Sequence, residues 1–277
     1  MRIDSHIFQI ILIGITFIPL FITLNFSFDV VLLIFVGLFC GAIFPDTDSR
    51  ESRLFKMKQE NSRIGWQSSY KEYKAKKDAQ HVYNLFLFFY SLILIMLGNI
   101  FRYLLYYPSY FTVYLMNKKW VKEYSIKDEH RGISHTLFGV FIGSIFFFIL
   151  IFLVNNYFNL IILKFLFIST LTFFLSSNLH LLQDSISKYG IRWFYPFKKI
   201  RIYGEYSAFS FDSRIMYFVL SLILSIILSF FLSSYIKNNF PGLLLVINII
   251  LPILFVFLSF TLLFKSCNVK IEQFSTP

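Results

Sequence analysis

Charge is scarce in this chain. Only 15% of its 277 residues are Asp, Glu, Lys or Arg, against about 25% in a soluble globular domain, which excludes an ordinary water-soluble enzyme and a disordered tail alike. Cysteine is nearly absent. Cys40, inside an apolar run, and Cys267, near the C-terminus, make neither a framework of bridges nor a CxxC metal knuckle, so no disulfide is expected. No Gly/Ser or Pro linker separates a second domain, and no repeat of fixed period stands out. The net charge of +11 lies between apolar runs rather than on a domain of its own, and reads as a topology signal, not as nucleic-acid binding.

What is abundant is hydrocarbon. Apolar residues make up 57% of the chain, with 38 Phe and a mean hydropathy of +0.66, against about 45–50% apolar in soluble domains. They fall in runs of about 17 to 25 residues, each long enough to cross a hydrocarbon core of ~30 Å. The fold class expected is therefore all-α: a polytopic membrane helical bundle in one integral domain over 1–277. Six helices are expected near 7–26, 30–44, 134–154, 160–182, 216–236 and 243–264. The first run is long for a signal h-region and lacks an A-x-A cleavage site, so it is expected to remain in the mature protein.

A further apolar region, 82–116, is interrupted by Gly98, Asn99, Arg102 and Pro108. It reads as a hairpin or an interfacial insertion over 82–117, and its number of crossings stays open. Polar residues collect in three places: Asp46 to Gln80, Asn117 to Arg131, and Asp184 to Arg214. If these share a side with both termini, that side holds every Lys and Arg except Arg102, Lys164 and Lys237, which is 23 of 26. The positive-inside rule then makes 49–81 a cytoplasmic basic loop and 184–214 a second cytoplasmic loop. Asp46 and Arg131 can share that face only if 82–116 crosses twice or not at all. The basic run Lys74, Lys76 and Lys77 reads as contact with anionic headgroups.

Four of the five histidines, His6, His130, His135 and His180, fall at the cytoplasmic ends of expected helices, while His81 begins the ambiguous region. His180 and Asp184 are spaced i, i+4, so an imidazole and a carboxylate share one helix face and can chelate one cation. Taken alone, this pair is also what a polar helix end meeting headgroups looks like. Pro45-Asp46-Thr47-Asp48 sets two acids in a turn where the chain leaves the bilayer, either as oxygen ligands or as a solvated helix stop. In His130-Arg131-Gly132-Ile133-Ser134-His135-Thr136, Gly132 would allow a sharp turn that aims both histidines at one point. Ser134 or Thr136 could cap the following helix, and Arg131 offers a planar donor for phosphate or carboxylate.

The shared face carries His6, Asp46, Asp48, His130, His135, His180 and Asp184 together. Seven N and O donors exceed the needs of one tetrahedral ion and fit a pair of divalent ions ~3.5–4 Å apart. Imidazole and carboxylate without thiolate are compatible with zinc, manganese and iron alike; zinc is the first expectation.

The order of these motifs, a His near the N-terminus, Pro-Asp-x-Asp, His-Arg-Gly-x-Ser/Thr-His and His-x-x-x-Asp, resembles the YdjM-type family of predicted membrane-bound metal-dependent hydrolases. Ser187, Gly190 and Pro196 continue the match, which covers about 4–50 and 128–197. The chain departs from that pattern at Ser49, where many relatives carry His, at Lys188, where Pro is frequent, and in the insertion at 82–116. The family is similar in ligand pattern to zinc-dependent phospholipase C and the single-strand nucleases related to it. That resemblance implies hydrolysis of a phosphorus ester.

The expected chemistry is thus a phosphoester hydrolase at the cytoplasmic side of the inner membrane, acting on a lipid or lipid-linked phosphate. The ions would lower the pKa of a water from 15.7 toward ~7. Asp46 or Asp48 would take the proton, and Arg131 would neutralise charge on the substrate oxygens. Lys188 and Arg192, with Lys198 and Lys199, would gather the headgroup or simply mark the inner surface. Membrane lipids are the partners expected, with no nucleic acid and no identifiable protein partner. A metal-clamped scaffold without activity and a metal-ion transporter are the alternatives. The first would show closed coordination, the second ligands in mid-span.

Overall fold

A computed structural model describes residues 3–48, 92–93, 95–116, 132–158, 163–195, 197–198, 200–206 and 213–273. The whole basic loop 49–81, residues 82–91, 94 and 117 of the insertion, and His81, His130, Arg131, Pro196 and Lys199 lie outside them. The architecture is an all-α membrane bundle. Six helical stretches are long and apolar enough to cross a bilayer: His6–Thr23, Phe28–Thr47, Leu137–Tyr157, Phe165–Ser185, Ser213–Asn239 and Pro241–Ser266. Each coincides with one of the six expected runs.

The first span is two helices rather than one. Helix α1 (Ile3–Thr16) ends and α2 (Ile18–Thr23) restarts at Phe17, because Pro19 lacks the N–H that would continue the ladder. Asn25, at φ 52°, then reverses the chain. The Phe26 N–H reaches the Phe21 carbonyl (3.0 Å) and the Asn25 N–H the Ile22 carbonyl (3.1 Å), closing a Schellman motif that leads into α3 (Phe28–Ile43).

The insertion departs from the reading of its interruptions as breaks. The chain is helical through 95–116, with Arg102–Tyr106 as a π-helical turn leading into α4 (Tyr107–Met116). The Tyr107 N–H bonds to the Arg102 carbonyl five residues back, and this wider turn accommodates the ring of Pro108 without ending the helix. Asn99 and Ser109 back-bond to the carbonyls of Ile95 and Leu105. No hairpin turn therefore occurs between 95 and 116.

Helix α6 (Leu163–Ser185) packs along α3, and α5 (Leu137–Phe158) packs along α6. Between lipid-immersed helices there is no hydrophobic driving force, so close backbone approach and hydrogen bonds decide the pairing. The α3–α6 contact supplies both. Gly37 and Gly41 lie one turn apart, and a Cβ at either would collide with the α6 backbone at Ser169 or Phe173. Along the seam, hydroxyls of α6 donate to carbonyls of α3: Ser169 to Leu33 (3.0 Å), Ser176 to Leu38 (2.5 Å) and Ser177 to Gly41 (3.0 Å).

The chain closes with a hairpin of α7 (Ser213–Asn239) and α8 (Leu244–Ser266), joined through the 3-10 turn Pro241–Leu243. A small antiparallel sheet, absent from the all-helical expectation, pairs β1 (Ile200–Tyr203) with β2 (Lys270–Gln273) in the register Ile200 to Gln273. It ties the loop after α6 to the tail after α8. Asn268, at φ 47°, makes the turn into β2 by the same cap geometry as Asn25.

Candidate metal centre

Four helix ends meet at one end of the bundle. Helix α1 contributes His6 in its first turn. After α3, the 3-10 turn Phe44–Thr47 brings in Asp46, with Asp48 just beyond. The 3-10 turn Ile133–His135 precedes α5 and carries His135, while the last turns of α6 carry His180 and Asp184. All six residues are buried, none more than 6% exposed. Asp48 Oδ2 accepts the Gly132 N–H at 2.5 Å, so the segments flanking 49–131 start and finish on one face, as an even number of crossings between them requires.

The donors converge. His6 Nε2 lies 3.3 Å from Asp184 Oδ1. Asp184 Oδ2 lies 3.4 Å from His135 Nε2 and 3.8 Å from His180 Nε2. Asp46 Oδ1 is 3.9 Å from His135 Nε2 and 3.8 Å from His180 Nε2. Two groups of potential ligands result, His6 with His180 and Asp184, and Asp46 with His135 and His180; within each, the ligand atoms lie within 4.8 Å of one another. A tetrahedral ion with bonds of 2.0–2.1 Å separates its ligand atoms by roughly 3.3 Å, so these spacings suit ligands around a cation.

The other nitrogen of each imidazole fixes its tautomer. His180 Nδ1 faces the Ala42 carbonyl at 2.7 Å, and a carbonyl can only accept, so Nδ1 carries the hydrogen. His135 Nδ1 donates to Asp48 Oδ2 at 3.0 Å, and His6 Nδ1 donates to Gln183 Oε1. All three rings thus turn Nε2 toward the same space. The rings of His6 and His180 stack at 4.0 Å. Among the described residues His180 Nε2 has no hydrogen-bond partner. A buried lone pair facing two carboxylates and two more imidazole Nε2 atoms is a donor set that fits a metal ion, with outer partners orienting each ligand.

His135 lies just outside the span that begins at Leu137. Burial by itself disfavours its charged form, but Asp48 and Asp184 beside it outweigh burial and push its pKa up to about 10 in the metal-free protein. The two acids thus hold a proton on this imidazole.

Several assignments read from sequence take another form here. Asp48 belongs to neither ligand group; it stands behind His135 and orients it. Gly132 has φ −71°, an ordinary extended value, and its contribution is the N–H given to Asp48. Thr136, not Ser134, caps α5: its Oγ accepts the Gly139 N–H at 2.9 Å, while Ser134 Oγ donates to the Pro45 carbonyl at 2.9 Å. Lys188 and Lys198 are exposed and Arg192 is half-buried, all on the chain after α6. Gly190 needs its φ of +53° to turn that chain back against Ile202.

Two residues escaped the sequence reading. Gln183 fixes His6, and its place three residues after His180 was the available signal. Arg102, 2% exposed, sits in the π-helical turn that packs against Phe44–Thr47. Its Nε donates to the Tyr107 hydroxyl at 3.2 Å. A lone charge inside an apolar run was the signal there.

Comparison with known proteins agrees with the motif order. No curated protein and no solved structure matches the chain. The family described as YdjM inner membrane protein matches residues 6–263, a range that takes in the six spans almost entirely and every residue of both ligand groups. The chain is a multi-pass inner membrane protein and a member of the YdjM family.

Proposed function

We propose that this protein is a membrane-bound metal-dependent hydrolase that cleaves a phosphoester of a lipid or lipid-linked substrate at the cytoplasmic face. The observation that carries this reading is the convergence of three imidazole Nε2 atoms and two carboxylates at the end of the bundle, beside a basic loop. Ligands at one edge of the spans, rather than in mid-span, weigh against transit of an ion across the membrane.

Two groups of donors are what a pair of divalent ions would use, and zinc is the first candidate. An imidazole nitrogen has one lone pair, so His180 serves one ion only. Asp46, His135, His180 and Asp184 Oδ2 would hold the first. His6 and Asp184 Oδ1 would hold the second, with His130 as a further candidate ligand. Bound there, divalent ions supply Lewis acidity toward a phosphoryl oxygen and a water acidic enough to react near neutral pH.

The remaining work falls to the chain. Asp48 and the Ala42 carbonyl keep the imidazoles in the liganding tautomer. The second oxygen of Asp46 accepts the proton released from the attacking water, because Asp48 is committed to Gly132 and His135. Arg131 and Arg192 bind the phosphate oxygens, with Lys188 collecting the anionic headgroup. The near-complete burial of the ligands favours one rival, a structural metal clamp.

Metal analysis and turnover separate the two readings. Purified protein is expected to carry two equivalents of metal and to hydrolyse a member of a panel of phospholipids, isoprenoid phosphates and bis-p-nitrophenyl phosphate. His180→Ala with Asp184→Ala should lose at least one equivalent and all turnover. Bound metal without turnover on any substrate identifies the clamp. Reporters active only in the cytoplasm, fused after Lys122 and after Lys199, should both give signal; signal from one alone overturns the shared cytoplasmic face.

A further inference from the structure

A cleft of ≈ 270 Å³ opens beside the polar cluster among the described residues. Phe138 and Phe141 of α5, Phe174 of α6, and Trp193, Phe194 and Phe197 of the following loop line it, and seven of its eight lining residues are aromatic. With such walls it offers no complement to a sugar or a nucleotide. Its volume is below the about 300–1,000 Å³ that encloses a whole drug-sized ligand, and suits one hydrocarbon chain.

The cleft is tied to the metal ligands by covalent and hydrogen-bonded links. Leu137, on its wall, follows His135 by two residues, and its N–H donates to the Trp193 carbonyl at 2.9 Å. Trp193 Nε1–H donates to Ser185 Oγ at 2.7 Å, and Ser185 adjoins Asp184. Phe141 is 54% exposed and lies within the Leu137–Tyr157 span, so the cleft faces the bilayer sideways. Arg192 and Lys198 directly adjoin the lining residues Trp193 and Phe197 in the chain, which brings two basic residues to the edge of the cleft.

We propose that this cleft seats one alkyl chain of a phosphorylated lipid, which enters laterally from the bilayer and leaves its phosphate at the basic rim, directed to the ligand cluster. The phosphate's destination rests on the hydrolase reading; the seat for the chain does not. A chain moving from bilayer to cleft exchanges one apolar surrounding for another and gains little by transfer. The cleft therefore acts by fixing position through packing on aromatic rings, and position is what the test must read.

The full chain is placed in phosphatidylcholine nanodiscs containing a phosphatidic acid analogue with a diazirine near the end of one acyl chain. It is then irradiated and the labelled residues are mapped. Label should concentrate at 137–141, 174 and 193–197, above the equally exposed outer faces of α7 and α8. It should fall with excess dodecyl phosphate and be unmoved by inorganic phosphate. Leu137→Trp, which fills the cleft, should abolish this label with bound metal unchanged. Phe141→Trp, at a half-exposed position that tolerates bulk, repeats the measurement should Leu137→Trp fail to fold.

Label spread evenly over the spans, label that survives both filling variants, or equal labelling by a diacylglycerol analogue with the same diazirine chain each overturn the proposal. Turnover of a phosphoester with even labelling sinks the cleft and spares the hydrolase. Concentrated, phosphate-dependent label without turnover sustains the cleft and sinks the hydrolase.

Discussion

The α3–α6 pair and the α7–α8 hairpin are built from similar apolar runs yet do different work. The span through α3 is 56% buried in the bundle, whereas those through α7 and α8 are each 22% buried and turn most of their surface outward. The first pair meets through Gly37, Gly41 and a seam of hydroxyl-to-carbonyl bonds. The second touches through isolated polar contacts, Ser221 to Ser259 at 2.9 Å and Asn248 to Ser233 at 3.2 Å. The seam does not stop at the serines. Its last rung is His180 on the Ala42 carbonyl, so the bonds that join the helices also set the liganding tautomer. Rigidity is concentrated where a donor set must hold its geometry, and the hairpin serves as a wall.

The sharpest way to break this comparison is at the donors. Asp184→Ala removes both oxygens that face the three imidazoles and should eliminate at least one equivalent of bound metal, read by plasma mass spectrometry. His6→Ala should cost only the more weakly held ion. The same replacements in the hairpin, at Ser221 or Asn248, should leave metal content unchanged.

Next in size is the outer support. Asp48→Asn keeps the shape but weakens the acceptor behind His135, and should cost about 10–100-fold in metal affinity, measured by competition with a chelator. Acidity probes the same contact. In the metal-free protein His135 keeps its proton to a pH of about 10. A metal binding near pH 7 must displace that proton, so affinity should rise with pH, by about tenfold per unit for one proton released. An affinity that is flat between pH 6 and 8 would show that His135 is not a ligand.

Packing effects come last. Gly41→Leu forces α3 away from Phe173 and Ser176 and should destabilise the protein by about 1–3 kcal/mol or more, with loss of metal as a consequence, in thermal unfolding followed in detergent. Ser176→Ala should cost about 0.6 kcal/mol, the average for a hydrogen bond between membrane helices, and Ser221→Ala no more than that. If Ser221→Ala proved the more damaging, the seam would not be the stiffer of the two contacts.

Much of the fold was readable before any coordinates. Each of the six spans follows from an uninterrupted apolar run, and His180 and Asp184 share a face by helical period alone. The 82–116 region misled because Gly98, Asn99, Arg102 and Pro108 read as breaks, whereas one π-helical turn and side-chain back-bonding let the helix continue. The β1–β2 pair was illegible because two four-residue strands so far apart in sequence leave no local periodic signal. At the site, acids and histidines could be counted but not ranked. Asp46 and Asp48 look alike in sequence, and only the approach of Gly132 and His135 makes one face the cluster and the other stand behind it.

The sequence by itself determined that this chain lives in a membrane, how many times its confident runs can cross, and which residue types gather at the helix ends. These are local properties: a helix satisfies its own backbone hydrogen bonds, and run length alone decides whether it spans hydrocarbon. The tertiary structure decided which nitrogen of each imidazole points inward and which carboxylate faces all three rings. Those choices are made by partners far away in the chain, Gln183 for His6, Ala42 for His180 and Asp48 for His135, and no local pattern encodes a contact that exists only once the helices have packed.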